Sequence, residues 1–349
     1  MIKHLMRLTL LSLFLLAVFV GYLSWNGIKG LHQANSLIQP ALFTVDQGMP
    51  FSAVADQLAR KHLISNAFWL RVWVRLNRDG REIKAGEYEI TPGMTTIQVL
   101  DEMIAGRVKT WSVQFIEGWT FAEMRRALDD QEKLQHVLKG LPDGKIMAML
   151  GHAGQVPEGL FFPDTYQFER GQTDLSILRR AYQKMQKVLD AEWQQRAQNL
   201  PYKTPYQALI MASLVEKETG LASERAKIAG VFVRRLEKGM RLQTDPAVIY
   251  GLGRQYQGDL TRKDLTLDTP YNTYRHGGLP PTPIAMPGQG AIHAALHPEA
   301  GRALYFVARG DGSHQFSDTL AEHDKAVRRY QIYHRRRDYR SSPEQEGKP

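Results

Sequence analysis

A helix with two glutamates near its end is predicted by the stretch Gln207-Ala-Leu-Ile-Met-Ala-Ser-Leu-Val-Glu-Lys-Glu-Thr219. At about 100° per residue, its apolar side chains cluster on one side of the helix, centred near Glu218. Glu216 falls almost opposite, beside Ser213 and Lys217. The pattern therefore predicts that Glu216 faces solvent, whereas Glu218 lies on the buried face.

A carboxylate on a buried helix face has altered acid–base chemistry. Removing it from water disfavours the charged form and raises its pKa. A carboxylic acid that is still protonated near neutral pH can donate a proton to a glycosidic oxygen. Glu218 is therefore the candidate catalytic residue. The alternatives are a salt-bridged structural glutamate, or a helix that ends before residue 218.

Length and composition set the broad class of the protein. The chain has 349 residues, which is enough for two domains, and its 43% hydrophobic and 23% charged residues exclude wholesale disorder. A formal net charge of +9 favours an anionic partner such as nucleic acid, lipid headgroups or a carboxylate-bearing polymer. The absence of cysteine excludes a disulfide framework, a thiolate nucleophile and a Cys-ligated zinc site.

The N-terminal region has the pattern of a membrane anchor. Lys3, His4 and Arg7 precede residues 8–27, which carry no charge. A helix of that length spans about 30 Å, the thickness of a bilayer core. The preceding basic residues predict a cytoplasmic segment at 1–7, a transmembrane helix at 8–28 and a translocated remainder. A cleaved signal peptide is the alternative, although no clean cleavage site follows.

Translocation of the basic body argues against nucleic acid as the partner. Peptidoglycan, whose stem peptides are acidic, is the natural anionic candidate if the cell is bacterial. Together these inferences predict a single-pass protein of the cell inner membrane with its main body in the periplasm.

A diverged repeat follows a short polar connector at residues 29–40. Its copies begin near Val45, near Ile90 and near Phe115, and each predicts a strand, a glycine turn, a Ser or Thr cap and a helix. The alternation at residues 85–90 is typical of a half-buried strand. Small α+β modules of this type bind glycan in some proteins and only pack in others, so both interpretations stay open.

The remaining chain predicts a second, larger domain. Helical patterns dominate residues 121–238. Residues 240–290 are rich in Gly, Pro, Asn and Tyr and predict ordered irregular structure. A strand is predicted at 304–308, a last helix at 325–333 and a disordered tail at 339–349. The predicted fold class is therefore α+β.

Three motif fragments are too incomplete to indicate other chemistry. His293 and His297 have the spacing of two zinc ligands but lack the glutamate of His-Glu-x-x-His. Gly251-Leu-Gly253 does not continue as a nucleotide-binding fingerprint. Ser313 and His314 are sequence neighbours, whereas catalytic triads are defined by spatial geometry. The sequence predicts no metal site and no cofactor.

The irregular segment has features of a sugar-binding site. Residues 241–246 contain Asp245, a second carboxylate, and residues 271–274 combine two tyrosines with an amide. Sugars need flat aromatic faces for their C–H surfaces and planar amides or carboxylates for their hydroxyls. The alternative is a loop packed for its own stability, in which the prolines of residues 278–288 limit the entropy of the unfolded chain.

These motifs together resemble the endolytic murein transglycosylase family, also called YceG-like. The resemblance extends from about residue 40 to residue 335 and is carried by six motifs in order. They are Glu158-Gly-Leu-Phe-Phe-Pro-Asp-Thr-Tyr166, Val215-Glu-Lys-Glu-Thr219, Arg241-Leu-Gln-Thr-Asp-Pro246, Asp268-Thr-Pro-Tyr-Asn-Thr-Tyr274, Gly278-Leu-Pro-Pro281 and Leu304-Tyr-Phe-Val307. The resemblance implies a LysM-like module at 41–112 and a catalytic domain at 113–338.

The resemblance also implies a reaction, with Glu218 as the catalytic residue. The family cleaves the bond between N-acetylmuramic acid and N-acetylglucosamine within nascent glycan strands, which implies a lyase that leaves 1,6-anhydromuramoyl ends and acts as a terminase of polymerisation. Peptidoglycan synthases are candidate partners. The residues expected to bind substrate are Gln243, Asp245, Tyr271, Asn272, Thr273 and Tyr274.

Two other classes of function are compatible with the same residues. A membrane-tethered peptidoglycan-binding or scaffold protein would keep the repeats and loops but would not need Glu218. A hydrolase would use Glu218 together with Asp245, because hydrolysis of either stereochemistry generally needs two carboxylates.

Overall fold

A computed structural model of the protein describes residues 2–77 and 83–333. They form two compact units. The first contains the chain up to Trp111 together with Gln167–Gln172, and the second contains Ser112–Tyr166 and the chain from Thr173 onward. The tail predicted at 339–349 lies outside the described residues.

The described residues are mainly helical, with three small sheets, and the mixed α+β class is confirmed. The helices of the first unit are α1 (Ile2–Leu31), α2 (Phe51–Arg60), α3 (Ala67–Asn77) and α4 (Thr96–Ala105). Those of the second unit are α5 (Phe121–Asp129), α6 (Asp143–Met149), α7 (Asp174–Gln194), α8 (Pro205–Glu218), α9 (Ala222–Glu237), α10 (Asp245–Leu252), α11 (Gln289–Leu296) and α12 (Leu320–Val327).

Each sheet has two strands. The strands are β1 (Ala41–Val45), β2 (Gly86–Ile90), β3 (Thr110–Gln114), β4 (Thr165–Glu169), β5 (Tyr305–Ala308) and β6 (His314–Ser317). They pair as β1 with β2, β3 with β4, and β5 with β6. The β1–β2 and β5–β6 pairs are antiparallel. The strand predicted at 304–308 is thus confirmed as β5.

Helix α1 contains the predicted anchor at residues 8–28 and is longer at both ends. Its segment Met6–Leu31 has a mean hydropathy of 2.1 and is apolar enough to cross a membrane, as a signal sequence would also be. The helix extends into the polar stretch predicted as a connector, and Leu31 is fully buried in the core of the first unit. That core also contains Phe43 of β1 and Tyr88 of β2.

The three predicted strand–turn–helix repeats are present. Gly48, Gly93 and Gly118 all have φ between 78° and 86° in their turns, a conformation that glycine adopts at no steric cost. The second and third helices begin at Thr95 and Thr120, each of which forms a capping box with the residue three positions later.

The first repeat differs from its prediction, and a fourth copy exists. A Ser or Thr cap was predicted, but the residue before α2 is Pro50, which forms no side-chain cap, and the nearest serine, Ser52, lies inside the helix. Strand β4, Gly171 with a φ of 83° and the cap Thr173 lead into α7 in the same order. The sequence analysis missed this copy, although Tyr166 and Phe168 alternate with polar residues as in a half-buried strand.

The second unit is organised around α8. This helix packs against α7, α9, α10 and α11. Residues 208–215 are therefore all buried, since a helix with neighbours on every side has no solvent face. The region at 240–290 is ordered as predicted, but it contains α10, which the sequence analysis missed.

Candidate active site

Helix α8 positions Glu218 by ending on it. Thr204 begins the helix by accepting a hydrogen bond from the Gln207 N–H, and Pro205 occupies the first turn, where its missing N–H costs nothing. At the other end, Thr219 has an extended backbone with φ −146°. The prediction that the helix reaches Glu218 is confirmed.

The prediction that Glu216 faces solvent is wrong. Its side chain is only 7% exposed, and its Oε2 accepts a hydrogen bond from the Gly288 N–H at 2.9 Å. Ser213, placed on the same polar face, is fully buried and accepts from the Ile284 N–H at 3.1 Å. Periodicity failed here because α8 has protein on all sides, and of this face only Lys217 is exposed.

Glu218 lines a groove with a volume of about 960 Å³ in the second unit. Burial raises the pKa of Glu218 to about 7, chiefly by desolvation of the charged form. The negative charge of Asp245 raises this pKa further, whereas the Thr244 hydroxyl and the Arg235 guanidinium lower it. The carboxyl group is therefore poised to hold or release a proton near neutral pH.

The Glu218 side chain is partly shielded from water but still reaches the groove. Its residue surface is only half-buried, yet protein surrounds it closely enough for desolvation to dominate its pKa. This is the situation of a side chain on a groove floor, where water reaches one side only. The nearby Thr244 hydroxyl forms no hydrogen bond of acceptable geometry with any residue that the structure describes. As a neighbouring polar group, it lowers the pKa of Glu218.

Asp245 and Tyr274 form a pair in the same groove. The Tyr274 hydroxyl donates a hydrogen bond to Asp245 Oδ1 at 2.6 Å. Asp245 is exposed and begins α10, where the helix dipole stabilises a negative charge. Burial and the Asp245 charge raise the pKa of the Tyr274 hydroxyl, so it remains a donor. The pair presents a fixed negative charge to the groove.

Arg235 holds the groove wall in place, and the sequence analysis missed it. Its Nε donates to the Leu304 carbonyl at 2.7 Å, and its Nη1 donates to the Leu242 carbonyl at 2.9 Å and to Gln243 Oε1 at 3.2 Å. These bonds fix Gln243, which has a φ of 53°. The signal was present in the sequence, because Arg235 stands four positions after Val231 on the apolar face of α9.

The predicted substrate-binding residues divide into two groups. Gln243, Asp245 and Tyr274 line the groove with Glu218. The others are packed beneath it or beside it: Tyr271, Asn272 and Thr273. The side chains of Asn272 and Thr273 do not reach the groove surface, since Asn272 is fully buried and Thr273 is 3% exposed.

The buried pair instead binds its own chain. The Asn272 amide donates to the Leu267 carbonyl at 2.7 Å, and its oxygen accepts from the Tyr274 N–H at 3.0 Å. The Thr273 hydroxyl accepts from the Thr244 N–H at 3.0 Å. Buried polar groups are satisfied in this way in most proteins. The two residues thus set the positions of Tyr274 and of the residue before Asp245.

Tyr271 supports the segment from the side. Its hydroxyl lies 2.9 Å from Thr282 Oγ1, and its ring meets that of Tyr250 edge-on with centroids 4.9 Å apart. Gly251 explains the close approach of α10, because a Cβ there would lie 2.9 Å from Tyr271 Cβ. Gly251 is therefore needed for packing.

A second shielded carboxylate, Glu158, was quoted in a motif but was given no role. It is 6% exposed, and burial raises its pKa to about 7. Its Oε1 accepts from the Phe121 N–H at 3.0 Å, and its Oε2 accepts from the groove-lining Tyr250 hydroxyl at 3.1 Å. Glu158 therefore links the start of α5 to α10.

The described residues thus form an α+β fold in which a shielded acid, Glu218, lines a groove. The model of the YceG-like family matches residues 43–329. The chain belongs to the YceG-like family.

Relatives of this chain include an endolytic murein transglycosylase of Bacillus subtilis, which is 31% identical over 82% of this chain and 83% of its own length. A protein of the same name from Streptococcus pneumoniae is 34% identical over 49% of this chain and 31% of its own length. A crystal structure of a yceG-like protein from Listeria monocytogenes superposes with a TM-score of 0.54 at 32% identity, covering 82% of this chain and 99% of that one.

Proposed function

We propose that this protein is an endolytic murein transglycosylase that cleaves the bond between N-acetylmuramic acid and N-acetylglucosamine within nascent glycan strands. The observation that carries the proposal is Glu218, an acid with a pKa raised to about 7 on the floor of a groove. The relatives from Bacillus subtilis and Streptococcus pneumoniae, both named endolytic murein transglycosylases, support the substrate class.

Glu218 serves as acid and then as base. In its protonated form it donates to the glycosidic oxygen as the bond to the muramoyl C1 breaks. The carboxylate that results removes the proton from the muramoyl C6 hydroxyl, and that oxygen bonds to C1. The product carries a 1,6-anhydro ring, no water is consumed, and Glu218 ends protonated as it began. Because the nucleophile belongs to the substrate, positioning supplies much of the rate.

The neighbouring charges fit the transition state. Positive charge develops at C1 as the bond breaks, and the Asp245 carboxylate is the groove-lining anion beside Glu218. The Tyr274 hydroxyl holds Asp245 in place, and Gln243 offers an amide to the sugar hydroxyls. Asn272, Thr273 and Tyr271 act as positioning residues for this wall.

The presence of Asp245 in the same groove also supports a second candidate, a hydrolase with two carboxylates. The two reactions differ in their products. A lyase leaves anhydro ends that are lighter by one water than the reducing ends of a hydrolase. The lyase is preferred because Tyr274 already occupies Asp245 Oδ1, which makes Asp245 a fixed charge in preference to a base for water.

The remaining features complete the proposal. Helix α1 anchors the protein in the cell inner membrane with its N-terminus in the cytoplasm, so that the groove acts in the periplasm. There the enzyme acts as a terminase that shortens strands, and peptidoglycan synthases are its candidate partners. Residues 41–112 act as a LysM-like module that binds glycan or positions the groove above the membrane.

The decisive experiment combines product analysis with two isosteric variants. The full chain in detergent is incubated with intact glycan strands, and the products are analysed by mass spectrometry. We expect anhydro ends from the unaltered protein, none from Glu218→Gln, and anhydro ends from the matched control Glu216→Gln. Reducing ends would establish the hydrolase instead. Unchanged digestion by Glu218→Gln would show that another residue is the catalyst, and no digestion by the unaltered protein would leave a binding or scaffold protein as the better description.

A further inference from the structure

We propose that Glu192, His293 and His297 form a binding site for a divalent transition-metal ion such as Zn²⁺ on the surface of the second unit. Each of the three residues offers one ligand atom, and these atoms all lie within 4.8 Å of one another. The cluster is separate from the groove, since none of the three lines it.

The fold brings the three side chains together from two helices. Glu192 lies near the end of α7, whereas His293 is in the last turn of α11 and His297 is the residue that follows it. A separation of four residues places the two imidazoles on one face. Their rings stack with centroids 4.3 Å apart.

The carboxylate is already directed at this pair. Glu192 Oε2 lies 2.9 Å from His293 Nδ1, and Glu192 Oε1 accepts a hydrogen bond from Gln289 Nε2 at 3.3 Å. A hydrogen bond to the oxygen that faces away from the ion orients a metal-binding carboxylate. The shared proton between Glu192 and His293 is what the ion would displace.

The donor set selects the kind of ion. Two imidazole nitrogens and one carboxylate oxygen suit Zn²⁺ and similar transition metals, whereas Mg²⁺ and Ca²⁺ prefer oxygen donors alone. In a tetrahedral zinc site, bonds of about 2.0–2.1 Å place the donors roughly 3.3 Å apart. The His293 side chain is 59% exposed, so small rotations can close the cluster, and a water molecule takes the fourth position.

A metal ion at this position would link α7 to α11, two helices that support the helix carrying Glu218. Both α7 and α11 pack against α8, the helix that ends at Glu218. An ion that binds the folded state alone stabilises it by mass action. At zinc about a hundredfold above its dissociation constant, we expect the melting temperature of the second unit to rise by roughly 5–10 °C.

The test is a direct binding measurement on the full chain. Tag-free protein in detergent is stripped with a chelator and titrated with ZnCl₂ by isothermal calorimetry, with MgCl₂ as the comparison ion. We expect one zinc per chain at micromolar concentration and no binding of magnesium. The variants Glu192→Gln, His293→Ala and His297→Ala should each weaken zinc binding at least about tenfold.

The matched control is His276→Ala. His276 is also exposed and lies 2.6 Å from a carboxylate oxygen of Asp268, but it has no second histidine beside it in the described structure. This variant and Glu218→Gln should bind zinc like the unaltered chain, so the proposal stands or falls separately from the enzymatic one. Absence of a zinc isotherm, or affinity unchanged in all three cluster variants, would overturn it.

Discussion

Glu218 and Glu158 lie in the same unit, and burial raises the pKa of each to about 7. They differ in what surrounds their oxygens. Glu158 accepts hydrogen bonds from the Phe121 N–H and the Tyr250 hydroxyl and is 6% exposed. Glu218 is half-buried and lines the groove. A raised pKa is therefore a sign of burial, and access to a groove is what distinguishes a candidate catalyst from a structural acid.

The largest difference between the two acids should be in catalysis. Glu218→Gln removes the only proposed proton donor, and we expect the rate of glycan cleavage to fall by about 10³-fold or more. Glu158→Gln keeps an acceptor for the Phe121 N–H, and the Tyr250 hydroxyl, which donates to Glu158, can turn to accept from the new amide, so its rate should stay within about tenfold. The measurement is the release of soluble fragments from purified sacculi at pH 7, with the unaltered chain as reference.

Equal losses in the two variants would contradict the distinction. Circular dichroism of both variants is the necessary control, because a misfolded Glu158→Gln would also lose activity. A folded Glu158→Gln that is as inactive as Glu218→Gln would assign Glu158 a direct role in the reaction.

The properties that sequence alone predicts here are local ones. The end of α8 at Glu218, the glycine turns and the caps Thr95 and Thr120 all depend on residues within one or two turns of each other. Local propensity and hydrogen bonding determine such features, and they can be read from a short window.

Features that sequence could not predict depend on distant partners. Glu216 is buried because the Gly288 N–H reaches it from 72 residues away. Glu158 is tied to Tyr250 across 92 residues, and Glu192 to His293 across 101. For the same reason, two histidines without a nearby glutamate did not predict a metal site.

The second prediction concerns the effect of the raised pKa of Glu158 on the free energy of unfolding. For Glu158 the pKa rises from an ordinary value of 4.5 to about 7 in the fold. The unfolded chain therefore loses this proton first as the pH rises, and the folded state loses stability between about pH 4.5 and pH 7. The full shift corresponds to a free energy on the order of 3 kcal/mol.

Glu158→Gln cannot ionise and should avoid this loss. Its free energy of unfolding relative to the unaltered chain should rise by up to about 3 kcal/mol between pH 4.5 and pH 8. Urea unfolding at the two pH values measures the difference, and Glu132→Gln, which changes an exposed glutamate of the same unit, is the control. A difference that does not change with pH would show that Glu158 is not protonated in the fold.

The third expected effect concerns the groove wall. Tyr274→Phe removes the hydrogen bond to Asp245 Oδ1, and a bond to a charged acceptor is worth about 1.5–3 kcal/mol. We expect the rate of cleavage to fall roughly 10- to 100-fold. Tyr256→Phe is the matched control, because its hydroxyl donates to the Gly258 carbonyl outside the groove. Equal effects of the two changes would refute the proposed role of the Asp245–Tyr274 pair.

The smallest expected effect is a shift in the pH dependence of kcat/KM. It tests whether the charge next to Glu218, and not Glu158, sets the pKa of the catalytic acid. Because Glu218 must be protonated for the first step, kcat/KM should fall above pH 7, by about tenfold per unit. The Asp245 charge raises the pKa of Glu218, so Asp245→Asn should move this fall to lower pH. Glu158→Gln should leave it in place, because Glu158 does not contribute to the pKa of Glu218. If the fall moved with Glu158 and not with Asp245, the titrating acid of the reaction would be a group other than Glu218.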